Sequence, residues 1–266
     1  MLLMRQAAFN ALAECDPVSK VALTEAAWAL STDLKPLVGE APGLVVDAPG
    51  RPDKPELLHP SAVPRRRMGS AEGRAAMIHA ITHIEFNAIN LALDAVCRFG
   101  AMPEAYYRDW ITVAKEEAYH FTLLAQHLQT HYGHAYGDFP AHNGLWDMAD
   151  KTRDDVLVRM ALVPRILEAR GLDVTPGMRD RLAQHGDAAA AAILDIILRD
   201  EVGHVAIGNR WYTGLCEERG VEPMATFVRL IQEHGAKIHP PLNREARLAG
   251  GFTAAELDAL GRVSQV

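Results

Sequence analysis

The chain has 266 residues, a 49% apolar fraction and a formal net charge of −7 at pH 7. That length fits one large domain or two small ones with a full core, and the acidic balance argues against nucleic acid as the main partner. No apolar run long enough to span a membrane is free of charge, so no membrane segment is expected. Cys15, Cys97 and Cys216 are widely spaced and odd in number, which points to reduced thiols. The N-terminus turns polar at Arg5, too early for a secretory signal. A cytoplasmic location is therefore expected.

Aromatic residues at 6% and repeated Ala/Leu/Ile stretches predict an all-α fold. Residues 1 to about 32 read as one or two amphipathic helices broken at Asp16-Pro17. Residues 34 to 70 are rich in Pro and Gly and predict a long irregular segment. Ser70 caps a helix over about 71–99, and a second runs over about 103–131 to a stop at Gly133. A loop is expected from 133 to 151. A third helix, about 153–170, should stop at Gly171 and be kinked by Pro164. Thr175-Pro176 opens a short helix ending near Gly186, and Asp187 caps a long one over about 188–219. Glu222-Pro223 opens a helix to about 234. His239-Pro240-Pro241 breaks the chain, and Thr253 with Glu256 forms a capping box for a last short helix.

Two of these helices carry the same motif. Glu117-Ala118-Tyr119-His120 and Glu201-Val202-Gly203-His204 are both Glu-x-x-His, 84 positions apart (201 − 117). Glu85 lies 32 residues before the first and Glu168 33 before the second, each in an apolar stretch. Three residues is close to one helical turn, so Glu and His of each motif share a face. Two such helices and two that each bring one Glu make the ligand set of a carboxylate-bridged two-metal bundle.

The motif alone is weak. With 17 Glu and 12 His in 266 positions, chance placement gives about 0.8 matches (17 × 12 / 266). A third copy, Glu56-Leu57-Leu58-His59, falls in the Pro-rich segment and reads as a decoy. The strength lies in the periodicity around the other two. Trp110, Val113, Phe121 and Leu124 flank Glu117, and Leu194, Ile197, Val205 and Ile207 flank Glu201. The carboxylates therefore share a stripe with apolar side chains, which surface ion pairs would not do. Four core-facing carboxylates need compensation, and two divalent ions balance their charge. Glu oxygens and His nitrogens without Cys suit iron or manganese better than structural zinc.

Other residues read more plainly. His79 and His83 do not share the face of Glu85 and are expected to be packed or hydrogen-bonded, with a role behind the ligands left open for them and for His142. Trp110, Tyr119 and Phe121 are expected in the core, and Tyr119 has the alternative of lying near an oxygen site. For Glu168, close to the expected helix end, an ion pair with Arg165 is the alternative to ligation.

At these residues the chain resembles the ferritin-like superfamily of di-iron carboxylate proteins. Within it the chain is similar to the bacterial domain-of-unknown-function 455 family. The likeness is carried by HAITHIE at 79–85, EEAYHF at 116–121, YGDFPAH at 136–142, EARGLD at 168–173 and DEVGHV at 200–205, with PGRP at 49–52. It covers roughly residues 45 to 240. The resemblance implies a ferritin-like four-helix bundle over 71–220. N-terminal helices and a wrapping segment (1–70) and a helical extension (221–266) would add to it within one compact domain. It implies metal ligation by Glu85, Glu117, His120, Glu168, Glu201 and His204. Glu117 and Glu201 would bridge the ions, Glu85 and Glu168 would be terminal, and each His would bind one ion.

The expected function is an oxidoreductase that activates dioxygen or peroxide toward a small-molecule substrate, with an external electron donor, since no nucleotide-binding Gly motif follows a strand. Substrate would enter past the segments at 34–70 or 133–151. Three alternatives stay open: iron binding and oxidation without an organic substrate, tRNA hydroxylation through the Arg65-Arg66-Arg67 cluster, and a metal-free helical scaffold. The oligomeric state is open, a dimer being one option.

Overall fold

The structure is a computed structural model that describes residues 1–31, 43–64 and 67–263, and every regular element among them is helical. Residues 34–42 of the expected Pro/Gly-rich segment, and Arg65 and Arg66 of the basic cluster, lie outside the described residues. The chain divides into two compact units, residues 1–147 and 148–266. No helix among the described residues is long and apolar enough to cross a membrane.

In the first unit, α1 (Leu2–Ala13) and α2 (Pro17–Ala29) are separated at the expected break, where Asp16 accepts the Ser19 N–H at 2.8 Å. Ser70 starts α3 (Ala71–Arg98) by accepting the Gly73 N–H at 3.0 Å. Gly133, with φ of 71°, ends α4 (Glu104–Tyr132) in the left-handed turn that glycine adopts without strain. α3 and α4 pack along their length, α1 lies on α3, and α2 lies on α4. Buried cations close two helix ends. Arg5 donates to the carbonyls of Val96 (3.1 Å) and Cys97 (2.7 Å), and Lys20 Nζ donates to those of Ala11 and Leu12, both at 2.9 Å. Each cation thus satisfies carbonyls that the last helical turn leaves open.

Two further segments of this unit build a wall over α3. Glu56, Leu57 and Leu58 pair with Ala141 in a short parallel bridge (Leu58 N–H to Ala141 O, 2.8 Å; Ala141 N–H to Glu56 O, 3.0 Å). His59 is exposed and caps a 3₁₀ turn (Pro60–Ala62), so the third Glu-x-x-His copy is not helical. The expected loop 133–151 is corrected in its second half, where Gly144–Lys151 forms α5. Trp146, which is buried, gives this short helix an apolar anchor, and tertiary packing of that kind overrides a Gly-rich start.

In the second unit, α6 (Val156–Leu162) runs through a π-helical turn (Val163–Glu168) into α7 (Ala169–Gln184). Pro164 does distort the helix, as a ring without an N–H must, and the chain responds by widening one turn. The expected stop at Gly171 and restart at Thr175 are corrected: α7 continues through both Gly171 and Pro176. Pro176 cannot donate to the Leu172 carbonyl one turn back, and the Asn243 side chain donates there instead at 3.1 Å. Arg247 grips neighbouring Asp173 through two bonds of 2.9 and 2.8 Å. Both partners come from α10 (Arg244–Ala249) and its cap, which the sequence reading left unassigned. Asp187 caps α8 (Ala188–Glu218), and α9 (Pro223–Glu233) and α11 (Ala254–Val263) start where expected. Thr253 and Glu256 form the capping box, with bonds of 2.8 Å (Thr253 N–H to Glu256) and 3.2 Å (Glu256 N–H to Thr253).

Candidate metal centre

Each unit contains one of the two Glu and Glu-x-x-His sets. In the first, α3 supplies Glu85 and α4 supplies Glu117 and His120, all buried. His120 Nδ1 lies 3.3 Å from Glu85 Oε2 and 3.5 Å from Glu117 Oε2. Two carboxylates and one imidazole thus converge across a helix pair whose apolar stripe, Trp110, Val113, Phe121 and Leu124, is itself buried.

The electrostatics are those of a site built around positive charge. Burial, and then the charge of Glu117, hold Glu85 well above the usual carboxylate range. Burial opposes protonation of His120, but hydrogen bonds and charge from Glu117 and Glu85 outweigh it and raise its pKa to about 11. Without a cation, the triad must therefore take up protons to stay buried. Oxygen and imidazole nitrogen donors so placed fit a divalent first-row metal ion, which would replace those protons.

In the second unit, Glu168 closes the π turn, and α8 supplies Glu201 and His204. All three are buried, and His204 Nδ1 lies 3.8 Å from Glu201 Oε2. The flanking positions Leu194, Ile197 and Val205 are buried and Ile207 is half-buried. The ion pair considered for Glu168 goes elsewhere: Arg165 is held by Glu256, with its guanidinium 4.2–4.9 Å from the ring centres of Tyr212, Phe227 and Phe252. A π turn inserts one extra residue into the helical repeat, so it resets which face Glu168 occupies, a correction no periodicity count includes.

His79 and His83 are packed and hydrogen-bonded. His79 Nε2 accepts the Gly137 N–H at 2.8 Å, and its ring stacks on Tyr136. His83 Nε2 lies 3.2 Å from the His142 carbonyl and Nδ1 lies 2.9 Å from the Tyr136 hydroxyl. Asn87 Nδ2 lies 3.0 Å from the same Nε2 and also donates to the His83 carbonyl at 3.0 Å. Burial pulls both histidines down to about 4, so they are neutral at pH 7. His142 Nδ1 accepts the Gly144 N–H at the start of α5. Tyr119 is a correction: it is 48% exposed, because its position on α4 points about 160° from Glu117 and about 100° from His120. Cys97 is in the core, and no cysteine among the described residues is paired.

Sequence reading missed one polar set. His83, Asn87, Asn90 and Asp94 follow each other at steps of four, three and four, all buried, on a helix otherwise apolar on nearly every face. A polar stripe at helical period within such a helix is the signal that marks it. Lys20 Nζ reaches this stripe and donates to Asn90 Oδ1 at 2.8 Å.

Comparison with known proteins agrees on family and is silent on activity. The family described as "Protein of unknown function (DUF455)" matches over residues 13–258. A protein of Haemophilus influenzae described as "Uncharacterized protein" is 51% identical over 222 residues, which cover 80% of this chain and 77% of that one. No solved structure matches the chain. A match over nearly the whole sequence, together with that identity, makes the chain a member of the DUF455 family.

Proposed function

We propose that the chain is a cytoplasmic, ferritin-like di-iron or iron/manganese oxidoreductase acting on a small-molecule substrate. The observation that carries this reading is the recurrence, once in each unit, of a buried Glu and Glu-x-x-His set. Each set offers ligands for one ion, so the chain offers them for two. The resemblance assigns both sets to one dinuclear centre, with Glu117 and Glu201 shared between ions and Glu85 and Glu168 terminal. When bound, the ions supply redox chemistry, taking electrons from an external donor and activating dioxygen or peroxide.

The residues of the chain do the rest. Glu85, Glu117 and His120 would hold a cation in the first set, and the protons that burial and mutual charge favour on Glu85 and His120 would be displaced by it. Each set would bring two carboxylates, one histidine and no thiolate to the ions, a donor set suited to iron or manganese. The buried stripe of Trp110, Val113, Phe121 and Leu124 keeps bulk water from the first set.

The test is metal content and optical spectrum after anaerobic loading with ferrous iron, before and after air. About two irons per chain with a new ferric charge-transfer band on aeration support the proposal. Two irons that stay ferrous in air would favour a binding role, and no stoichiometric metal would leave a helical scaffold. Ala at Glu117 or at Glu201 should end two-ion binding, and a variant that keeps both ions would sink the ligand assignment.

A further inference from the structure

The first unit holds a small cleft, about 60 Å³ once the space open to solvent is left out, over the polar stripe of α3. Its floor is His83, Phe86, Asn87 and Asn90, and its walls come from the Pro-rich segment 48–57 and from Tyr136, Asn143 and Trp146. Among the described residues no carboxylate lines it, and Arg51 is the one arginine or lysine that does. Arg51 is exposed, and among the described residues no acid pairs with it. Among the described residues its one side-chain hydrogen bond is a long one, 3.4 Å, to the Pro52 carbonyl. Deeper in, the ammonium of Lys20 fixes the Asn90 amide. An ammonium only donates, so Oδ1 must face Lys20 and Nδ2 must point away from it. That Nδ2 is without a hydrogen-bond partner, although Asn90 is only 1% exposed. A buried amide N–H left open costs about 1–3 kcal/mol, and Asn90 is one of the residues that line the cleft.

We propose that this cleft binds a small organic carboxylate. The carboxylate meets the Arg51 guanidinium, a flat apolar body lies among Phe86, Trp146 and Leu57, and an accepting atom takes the Asn90 Nδ2 proton. Guanidinium and carboxylate match in a two-bond fork, whereas a phosphate dianion would face one exposed cation. An ammonium-bearing ligand finds no acid in the lining. The inference stands apart from the metal reading, because every group it uses belongs to the first unit and none is a proposed ligand.

The test uses the full chain stripped of metal with chelator, so that a carboxylate has no ion to bind. Calorimetric titrations compare acetate, benzoate and indole-3-acetate with the matching amides. At least one carboxylate is expected to bind with a Kd under about 1 mM, and about tenfold more tightly than its amide. Arg51→Gln should erase that preference without shifting the melting temperature, since Arg51 is exposed. Asn90→Asp keeps the bond to Lys20, replaces the open donor by an acceptor and should weaken the same carboxylate by about tenfold. Equal binding of acid and amide, affinity untouched by Arg51→Gln, or no carboxylate binding below about 10 mM would each overturn the proposal.

Discussion

A single carbon added at Gly208 would overlap the ring of Pro164, so α8 meets the π turn with only a hydrogen at the contact. The proline ring is rigid and sits in a turn already widened to accept it, so neither partner can give. Gly208→Ala should therefore destabilise the protein by about 1–3 kcal/mol despite the better helix propensity of alanine. Adding Pro164→Ala should recover part of that loss. Urea midpoints of the two single variants and the double variant measure the coupling, and strict additivity would contradict it.

Lys20 makes stability depend on pH in an uncommon direction. Burial pulls its pKa from 10.5 down to about 7, with the nearby charges of Cys15 and Glu14 opposing only in part. Between those values the unfolded chain holds the proton and the folded chain releases it. Stability should then rise with pH from about 7 toward 10.5, by up to about 1.4 kcal/mol per pH unit. At pH 7 and below, the ammonium stays buried and this gain is absent. Lys20→Met should lose the slope, and it should also cost about 1–3 kcal/mol at pH 9 through the acceptors it abandons on Ala11, Leu12 and Asn90. Denaturant melts of both proteins at pH 7, 8 and 9 give the comparison.

Glu85→Gln separates metal binding from folding. Without metal, burial and the Glu117 charge favour the neutral form of the Glu85 carboxyl, whose shape Gln copies. The metal-free variant should melt within about 2 °C of the parent or slightly above it, since a change under about 0.5 kcal/mol moves the midpoint little at this length. Ferrous iron or manganese should raise the melting temperature of the parent and not that of the variant. A variant stabilised by metal as strongly as the parent would remove Glu85 from the ligand set.

The Arg165 and Glu256 pair gives a test inside the second unit. Burial pushes the Glu256 carboxyl up, and the charge and hydrogen bond of Arg165, with help from Thr253, more than reverse it. A carboxyl with a lowered folded pKa stabilises above its ordinary value of 4.5, and that contribution fades as pH falls through the folded value. Glu256→Ala leaves the Arg165 guanidinium buried among three rings with no counter-charge and should cost about 3–5 kcal/mol at pH 7. Glu256→Gln keeps one hydrogen bond and should cost less. Thermal melts at pH 7 and pH 3 should show the gap between parent and Ala variant narrowing in acid.

Local chemistry was legible without coordinates. Asp16, Ser70 and Asp187 each announce a helix start because a short acceptor beside a helical run satisfies an open N–H within three residues, and Gly133 announces a stop through its left-handed turn. The Glu-x-x-His spacing places each pair on one face for the same reason, one turn being nearly four residues. What the tertiary structure alone decided rests on partners far away in the chain. The Leu172 carbonyl freed by Pro176 is satisfied by Asn243, 71 positions on, so α7 survives a residue that should end it. Arg165 answers to Glu256, 91 positions away, and not to its neighbour Glu168. Lys20 finds Asn90 across 70 positions and so fixes a buried amide beside a cleft. Periodicity and capping act over one or two turns, whereas the free energy of burying a charge or an amide is set by whichever distant group arrives to meet it.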